Sequence, residues 1–149
     1  MDFTPEFSTD PERLDTLAIH KFLSESAYWA RGRSLASVQA SIRGSLNFAA
    51  YHPETKHMLA YARAVTDRAT MYYLADVFVL PEWRGRAIGR QLIQFAVQHP
   101  DLARLTGLLV TKDAAALYHD YGFRETAHND RVAMMRVRAW LEAERNSIE

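Results

Sequence analysis

The sequence predicts an α/β fold, an α+β mixed sheet flanked by helices, and three observations carry that reading. Two segments with apolar residues three and four apart precede a run of β-rich stretches joined by short turns between Ser45 and Leu80. A strand, a basic turn containing glycine and a helix then follow in Tyr72–Gln98, YYLADVFVLPEWRGRAIGRQLIQFAVQ. A short apolar run, Gly107–Thr111, is succeeded by another helical segment, and this alternation of strands and helices specifies a mixed sheet.

At 149 residues the chain is read as one domain, 1–149, large enough to bury about two-thirds of its unfolded surface. Its 18 Lys and Arg balance 18 Asp and Glu, which excludes a broad nucleic-acid footprint but leaves room for a local basic site. The absence of cysteine excludes disulfides, thiolate metal ligands and a cysteine nucleophile. The N-terminus lacks a basic region followed by an apolar core, and no apolar run approaches the roughly 18 residues of a membrane span. The expectation is a cytoplasmic protein without membrane contact.

Residues 1–10 read as a lead-in with a short strand around Phe3 and Phe7. Thr9 or Asp10 caps a first helix whose first turn holds Pro11 and Glu12 and whose buried side takes Leu14, Leu17, Ala18, Phe22 and Leu23. Tyr28-Trp29-Ala30-Arg31-Gly32-Arg33 forms a loop, and Ser34 caps a second helix with Leu35, Val38, Ile42 and Leu46 on one face. Tyr28 and Trp29 either pack between helices or wall a substrate pocket. Strands follow at Ser45–Tyr51, His57–Val65 and Met71–Leu80, an antiparallel meander by virtue of its short turns. Pro81, which has no N–H for a ladder, stops the third strand. The helix from Ile88 buries Ile88, Leu92, Phe95 and Ala96. Asp113 or Thr111 caps the helix through Tyr118, and Gly122 closes it. Arg131–Val137 reads as a last strand and Trp140–Asn146 as a short charged helix.

The turn between Leu80 and Ile88 places unpartnered backbone N–H groups at a helix start, beside Arg84, Arg86 and Arg90. That suits an anion, although arginines also simply solvate loops. The stretch is neither a P-loop, which ends in Gly-Lys-Ser/Thr, nor a dinucleotide fingerprint with three glycines.

Val79-Leu80-Pro81-Glu82-Trp83-Arg84-Gly85-Arg86-Ala87-Ile88-Gly89 resembles the acetyl-CoA motif of the GNAT superfamily of N-acetyltransferases. In that motif a strand ending V-x-P leads into Arg/Gln-x-x-Gly-x-Gly/Ala. Arg84 and Gly89 match its ends, and Ala87 stands where the middle glycine is usual. A second block, Ala114–Phe123 (AAALYHDYGF), resembles the family's A-x-x-L-Y-x-x-x-G-F helix and turn, with Thr111 where an asparagine is frequent. The resemblance covers residues 60–137.

It implies a mostly antiparallel sheet with splayed fourth and fifth strands, here Met71–Leu80 and Gly107–Thr111. Backbone groups of Val77, Phe78 and Val79 would pair with pantetheine. The turn Arg84, Gly85, Arg86, Ala87, Ile88, Gly89 would hold the pyrophosphate of acetyl-CoA with help from Arg90. Tyr118 falls where the family's tyrosine acid sits; otherwise it is a core tyrosine beside Leu117 and Phe123. Asp76, read as mid-strand among Leu74, Phe78 and Leu80, is costly there unless paired. The segment Leu74–Val79 is similar to the strand that meets the amine in polyamine acetyltransferases, with Ala75 where a glutamate is frequent. Asp76 therefore binds a substrate ammonium or relays its proton, or else pairs with an arginine such as Arg63. His52, His57, His99, His119 and His128 lack metal-ligand spacing, so no metal is expected. The expectation is acetyl transfer to a primary amine of a small molecule, with Tyr118 and Asp76 catalytic and Tyr28, Trp29 and Asp76 contacting the acceptor. A non-catalytic acyl-CoA sensor, acetylation of a protein amine, and an interaction protein that binds phosphates are the alternatives. The resemblance also implies a homodimer, for which the C-terminal strand and helix would supply the interface.

Overall fold

The computed structural model describes residues 2–126 and 130–139. In chain order its elements are β1 (Glu6–Ser8), α1 (Thr16–Glu25), α2 (Leu35–Arg43), β2 (Leu46–Tyr51), β3 (Met58–Thr66), β4 (Met71–Val79), α3 (Ile88–Val97), β5 (Thr106–Leu108) and α4 (Ala115–His119). The strands form one sheet in the order β1-β2-β3-β4-β5, antiparallel except for the parallel β4–β5 pair. The mixed sheet expected from the sequence is present, and its meander follows from the short turns after β2 and β3.

Alternating side chains feed two cores, one on each face of the sheet. Leu46, Phe48 and Ala50 of β2 and Ala60, Ala62 and Ala64 of β3 pack with Leu92, Ile93 and Ala96 of α3. The small side chains of β3 let α3 lie close across the sheet. Ala49, Tyr51 and Tyr61 face the other way, onto Ile19, Phe22 and Leu23 of α1 and Val38 of α2. Inside that second core the Tyr61 hydroxyl donates to Asn47 Oδ1, which satisfies both buried polar groups.

Three expectations require correction. The first helix is interrupted: Asp10 caps a 3₁₀ turn at Pro11–Arg13, Leu14 returns to extended backbone, and Asp15 caps α1 by accepting from the Ala18 amide at 3.0 Å. A second good cap so close to the first allows the chain to restart the helix at a new angle. With that shift Ile19 is fully buried and Leu17 is exposed. Second, residues 131–137 form no strand; Val132 and Met134 are exposed, and Met135 and Val137 border the cleft described below. The expected helix Trp140–Asn146 lies outside the described residues.

The third concerns β4. Ala75 opposes Arg63 and Phe78 opposes Tyr61, so β4 holds one residue more than β3 over that interval. This is a β-bulge, and Asp76 within it has φ +52. The extra residue reverses the side-chain alternation, sending Leu74 to the α3 core and Phe78 to the α1 core. Leu74 and Phe78 therefore do not share a face.

Candidate functional site

Strand β5 pairs with β4 only at Met71↔Thr106, Tyr72↔Gly107 and Tyr73↔Leu108. Beyond Tyr73 the two strands part, and among the described residues the edge of β4 from Leu74 onward has no ladder partner on that side. The gap is a cleft of about 460 Å³, floored by Ala75, Asp76 and Val77 and walled by Val110, Ala114 and Tyr118. A second hollow of about 410 Å³ lies at the start of α3, bounded by Val79, Arg84, Gly85, Ala87 and Gly89 and, from α4, by Leu117. Two hollows thus lie along β4, one at the bulge and one at the helix N-terminus.

Local sequence explains the helix end. Ala87 is the N-cap of α3 in left-handed backbone, φ +61, and offers no side-chain cap. The first intrahelical bond runs from the Gln91 amide to the Ala87 carbonyl at 3.2 Å. The amides of Ile88, Gly89 and Arg90 therefore precede it and point outward at the positive end of the helix dipole. Gly89 packs closely on β4: a Cβ there would lie 3.2 Å from Val79 Cγ2, a tight contact. Arg84 donates through Nε to the Val79 carbonyl at 3.2 Å, Arg86 stacks 5.0 Å over the Trp83 ring, and Arg90 pairs with Asp120 at 2.8 Å. These contacts hold three exposed cations around the turn, and they also occupy the Val79 carbonyl. The chemistry of the turn, outward amides and positive charge, fits a pyrophosphate.

Tyr118 sits on α4 at 9% exposure, with Phe123 edge-on at 6.0 Å. The Ala114 amide bonds Thr111 Oγ1 at 3.1 Å, so Thr111 prepares the entry into this short helix. Burial first, and then the neighbouring Tyr28 phenol, push the Tyr118 pKa up to about 12. The hydroxyl consequently keeps its proton at every physiological pH.

Asp76 adopts one of the two arrangements expected, the pair with Arg63, and adds Arg33 to it. Its carboxylate, with the side chain 2% exposed, accepts from Trp29 Nε1 at 2.8 Å on Oδ1, and from Arg33 Nη1 and Arg63 Nε, each at 2.7 Å, on Oδ2. Burial raises its pKa, but the charge and hydrogen bond of Arg63, the Trp29 indole and the charge of Arg33 more than reverse that, and the net shift is downward. With its pKa lowered, three donors in place and its side chain 2% exposed, this carboxylate is a poor proton acceptor. The structural alternative, pairing with Arg63, is the one the geometry favours. Sequence reading did not single out Arg33; its signal was the loop's two arginines, which only the fold brings to β4. Tyr28 and Trp29 do border the cleft, with their rings edge-on at 5.1 Å and both half exposed.

A separate groove of about 550 Å³ lies on the α1 side of Leu80 and Trp83 and mixes Lys21 and Lys56 with Glu25 and Glu82. It contains neither Tyr118 nor the α3 amides. Among the described residues no group of His, Asp and Glu is placed to hold a metal, and no helix is long and apolar enough to cross a membrane.

Residues 44–125 match the profile of the acetyltransferase (GNAT) domain. A Gibberella zeae protein that carries an acetyltransferase name is 30% identical over 132 residues, covering 74% of this chain and 73% of that one. A crystal structure from Xanthomonas campestris pv. campestris, described as belonging to the GNAT family, is 39% identical with a TM-score of 0.83, over 91% of this chain and 94% of that one. A Mycobacterium tuberculosis protein solved in complex with CoA shares the fold at 16% identity and a TM-score of 0.67, over 94% of this chain and 80% of that one.

Proposed function

The chain belongs to the GNAT superfamily of acetyltransferases, and from that premise we propose that it acetylates a primary amine of a small molecule, with Tyr118 as general acid. The observation that carries this reading is the placement of two hollows along the edge of β4. Outward amides and arginines lie at one of them, and a buried protonated phenol stands in the other.

Acetyl-CoA, when bound, supplies the thioester carbonyl that the amine attacks. The amides of Ile88, Gly89 and Arg90, with Arg84 and Arg86, would hold its pyrophosphate. The free edge of β4 at Val77 and Phe78 would pair with its pantetheine arm as an added strand does. Because Arg84 already engages the Val79 carbonyl, Val79 contributes less to that pairing than its neighbours. Tyr118 holds a proton at Oη and offers it to the leaving sulfur. A phenol near 12 is a weaker acid than a thiol of about 8.5, so Tyr118 acts first as a hydrogen-bond donor as charge develops. The amine arrives mainly as an ammonium of pKa about 10.4. With Asp76 fully engaged, that proton leaves through the open cleft mouth to solvent.

Thiol release from acetyl-CoA, measured across a panel of primary amines, tests the activity; binding of CoA without thiol release for any amine would sink it. Tyr118→Phe is expected to lower kcat by about 100-fold or more while CoA binding by calorimetry is retained. Wild-type turnover in that variant would remove Tyr118 from the acid role.

A further inference from the structure

Two arginines converge on one oxygen of one buried carboxylate, and the charges do not balance. Arg33 and Arg63 both contact Asp76 Oδ2, while Trp29, which is neutral, takes Oδ1. Asp76 cancels one positive charge and the cluster keeps the other. A guanidinium carries five N–H donors. Arg33 uses one on Asp76, and Arg63 uses Nε there and Nη1 on Ser45 Oγ at 3.2 Å. Both side chains remain partly open, at 24% and 14% exposure, and both border the cleft that holds Tyr118. A half-buried cation with spare donors facing a cleft is stabilised by an anion that joins it there. Among the described residues the other carboxylate bordering the cleft, Asp113, is exposed to solvent.

We infer that the acceptor carries a carboxylate, which docks on the free donors of Arg33 and Arg63 and aims the amine at the cleft beside Tyr118. This rests on the acetyltransferase reading. The substrate class is then an amino acid or related amino carboxylate, the opposite polarity from the polyamine that an acidic strand would select. Asp76 is a positioning residue: its two bonds at 2.7 Å hold both guanidinium forks in the cleft wall. Trp29, fixed by the same carboxylate, forms the adjoining apolar surface. A monoanionic carboxylate matches the single unbalanced charge, whereas a phosphate brings about 1.5 to 2 negative charges. Planar guanidinium forks also suit a planar carboxylate.

The test compares α-amino acids with the amines left when each loses its carboxyl group, and with phosphoethanolamine, using acetyl-CoA and thiol detection. Rates are expressed per unprotonated amine. The amino acids are expected to win by about 10-fold or more in kcat/KM, the effect of one charged hydrogen-bonded contact. Arg33→Ala should abolish the preference by raising KM for amino acids about 10-fold more than for the decarboxylated amines, and Arg33→Lys should restore part of it. A merely structural Arg33 would lower both series together. Equal use of both series, or better use of phosphoethanolamine, overturns the inference while leaving the acetyltransferase reading intact. A second arm does not depend on turnover: calorimetry with N-acetylglycine and N-acetylalanine in the presence of CoA. Wild type should bind both and Arg33→Ala should bind neither. If no amine releases thiol, this arm still decides whether a carboxylate docks on Arg33; equal binding by wild type and Arg33→Ala, or none by either, overturns it.

Discussion

Replacing Asp76 with Asn removes one charge from the centre of the cluster and almost nothing else. Asn tolerates left-handed backbone about as well as Asp, so the φ of +52 at this position is not itself perturbed. The amide oxygen can still accept from Trp29, but two guanidinium groups now converge on a neutral side chain. Breaking a buried ion pair by removing one partner costs about 3–5 kcal/mol. Arg33 and Arg63 retain 24% and 14% exposure, so water recovers part of that, and the expected loss is about 2–4 kcal/mol. With an m-value of about 2 kcal/mol/M in urea, the unfolding midpoint should fall by about 1–2 M. The pH dependence separates charge from packing. The folded pKa of Asp76 is depressed, so its contribution is fully present above the unfolded value of about 3.9 and is lost as pH falls through the folded pKa. The gap between wild type and Asp76→Asn should therefore stay level from neutral pH down to about 4 and shrink below it. Equilibrium urea unfolding followed by tryptophan fluorescence at several pH values gives both quantities. A variant within about 0.5 kcal/mol of wild type, or a gap that does not narrow in acid, would refute the charge-pair account of this bulge.

Two further outcomes follow from single residues. Ala87→Gly should raise stability by about 0.5–1 kcal/mol, because the left-handed backbone at φ +61 costs alanine more than glycine loses in chain entropy. A rise of about 1–4 °C in Tm by calorimetry checks it, and any fall in Tm contradicts it. The kcat/KM profile should climb with pH as the amine deprotonates and show no descending limb until Tyr118 itself ionises, near its pKa of about 12. A descending limb centred below about pH 9 would mean that a group other than Tyr118 is the acid.

Much of the frame was legible from local pattern. Ser34 announced α2, the meander turns announced β2 to β4, and Pro81 with Gly85 and Ala87 marked the entry into α3. Tyr118 was legible because it lies inside a contiguous block whose helix and turn are local structure. The Leu14 break was not, since two adequate caps stand five residues apart (Asp10 and Asp15) and only packing chooses between one helix and two. Nor was the bulge at Asp76. A strand read with strict alternation puts Leu74 and Phe78 on one face, and nothing in LADVF marks the inserted residue.

The sequence by itself determined the order of elements from β2 to α4 and the strand–turn–helix around Arg84–Gly89, because each depends on periodicity, capping or turn chemistry within a few residues. Tertiary structure alone decided the role of Asp76. Its partners Trp29 and Arg33 are 47 and 43 residues away in the chain, and Arg63 is on the neighbouring strand. Charge in a protein is felt over ångströms of space rather than along the sequence. An aspartate that read either as a receptor for a cation or as the partner of an arginine is, once folded, held by two arginines.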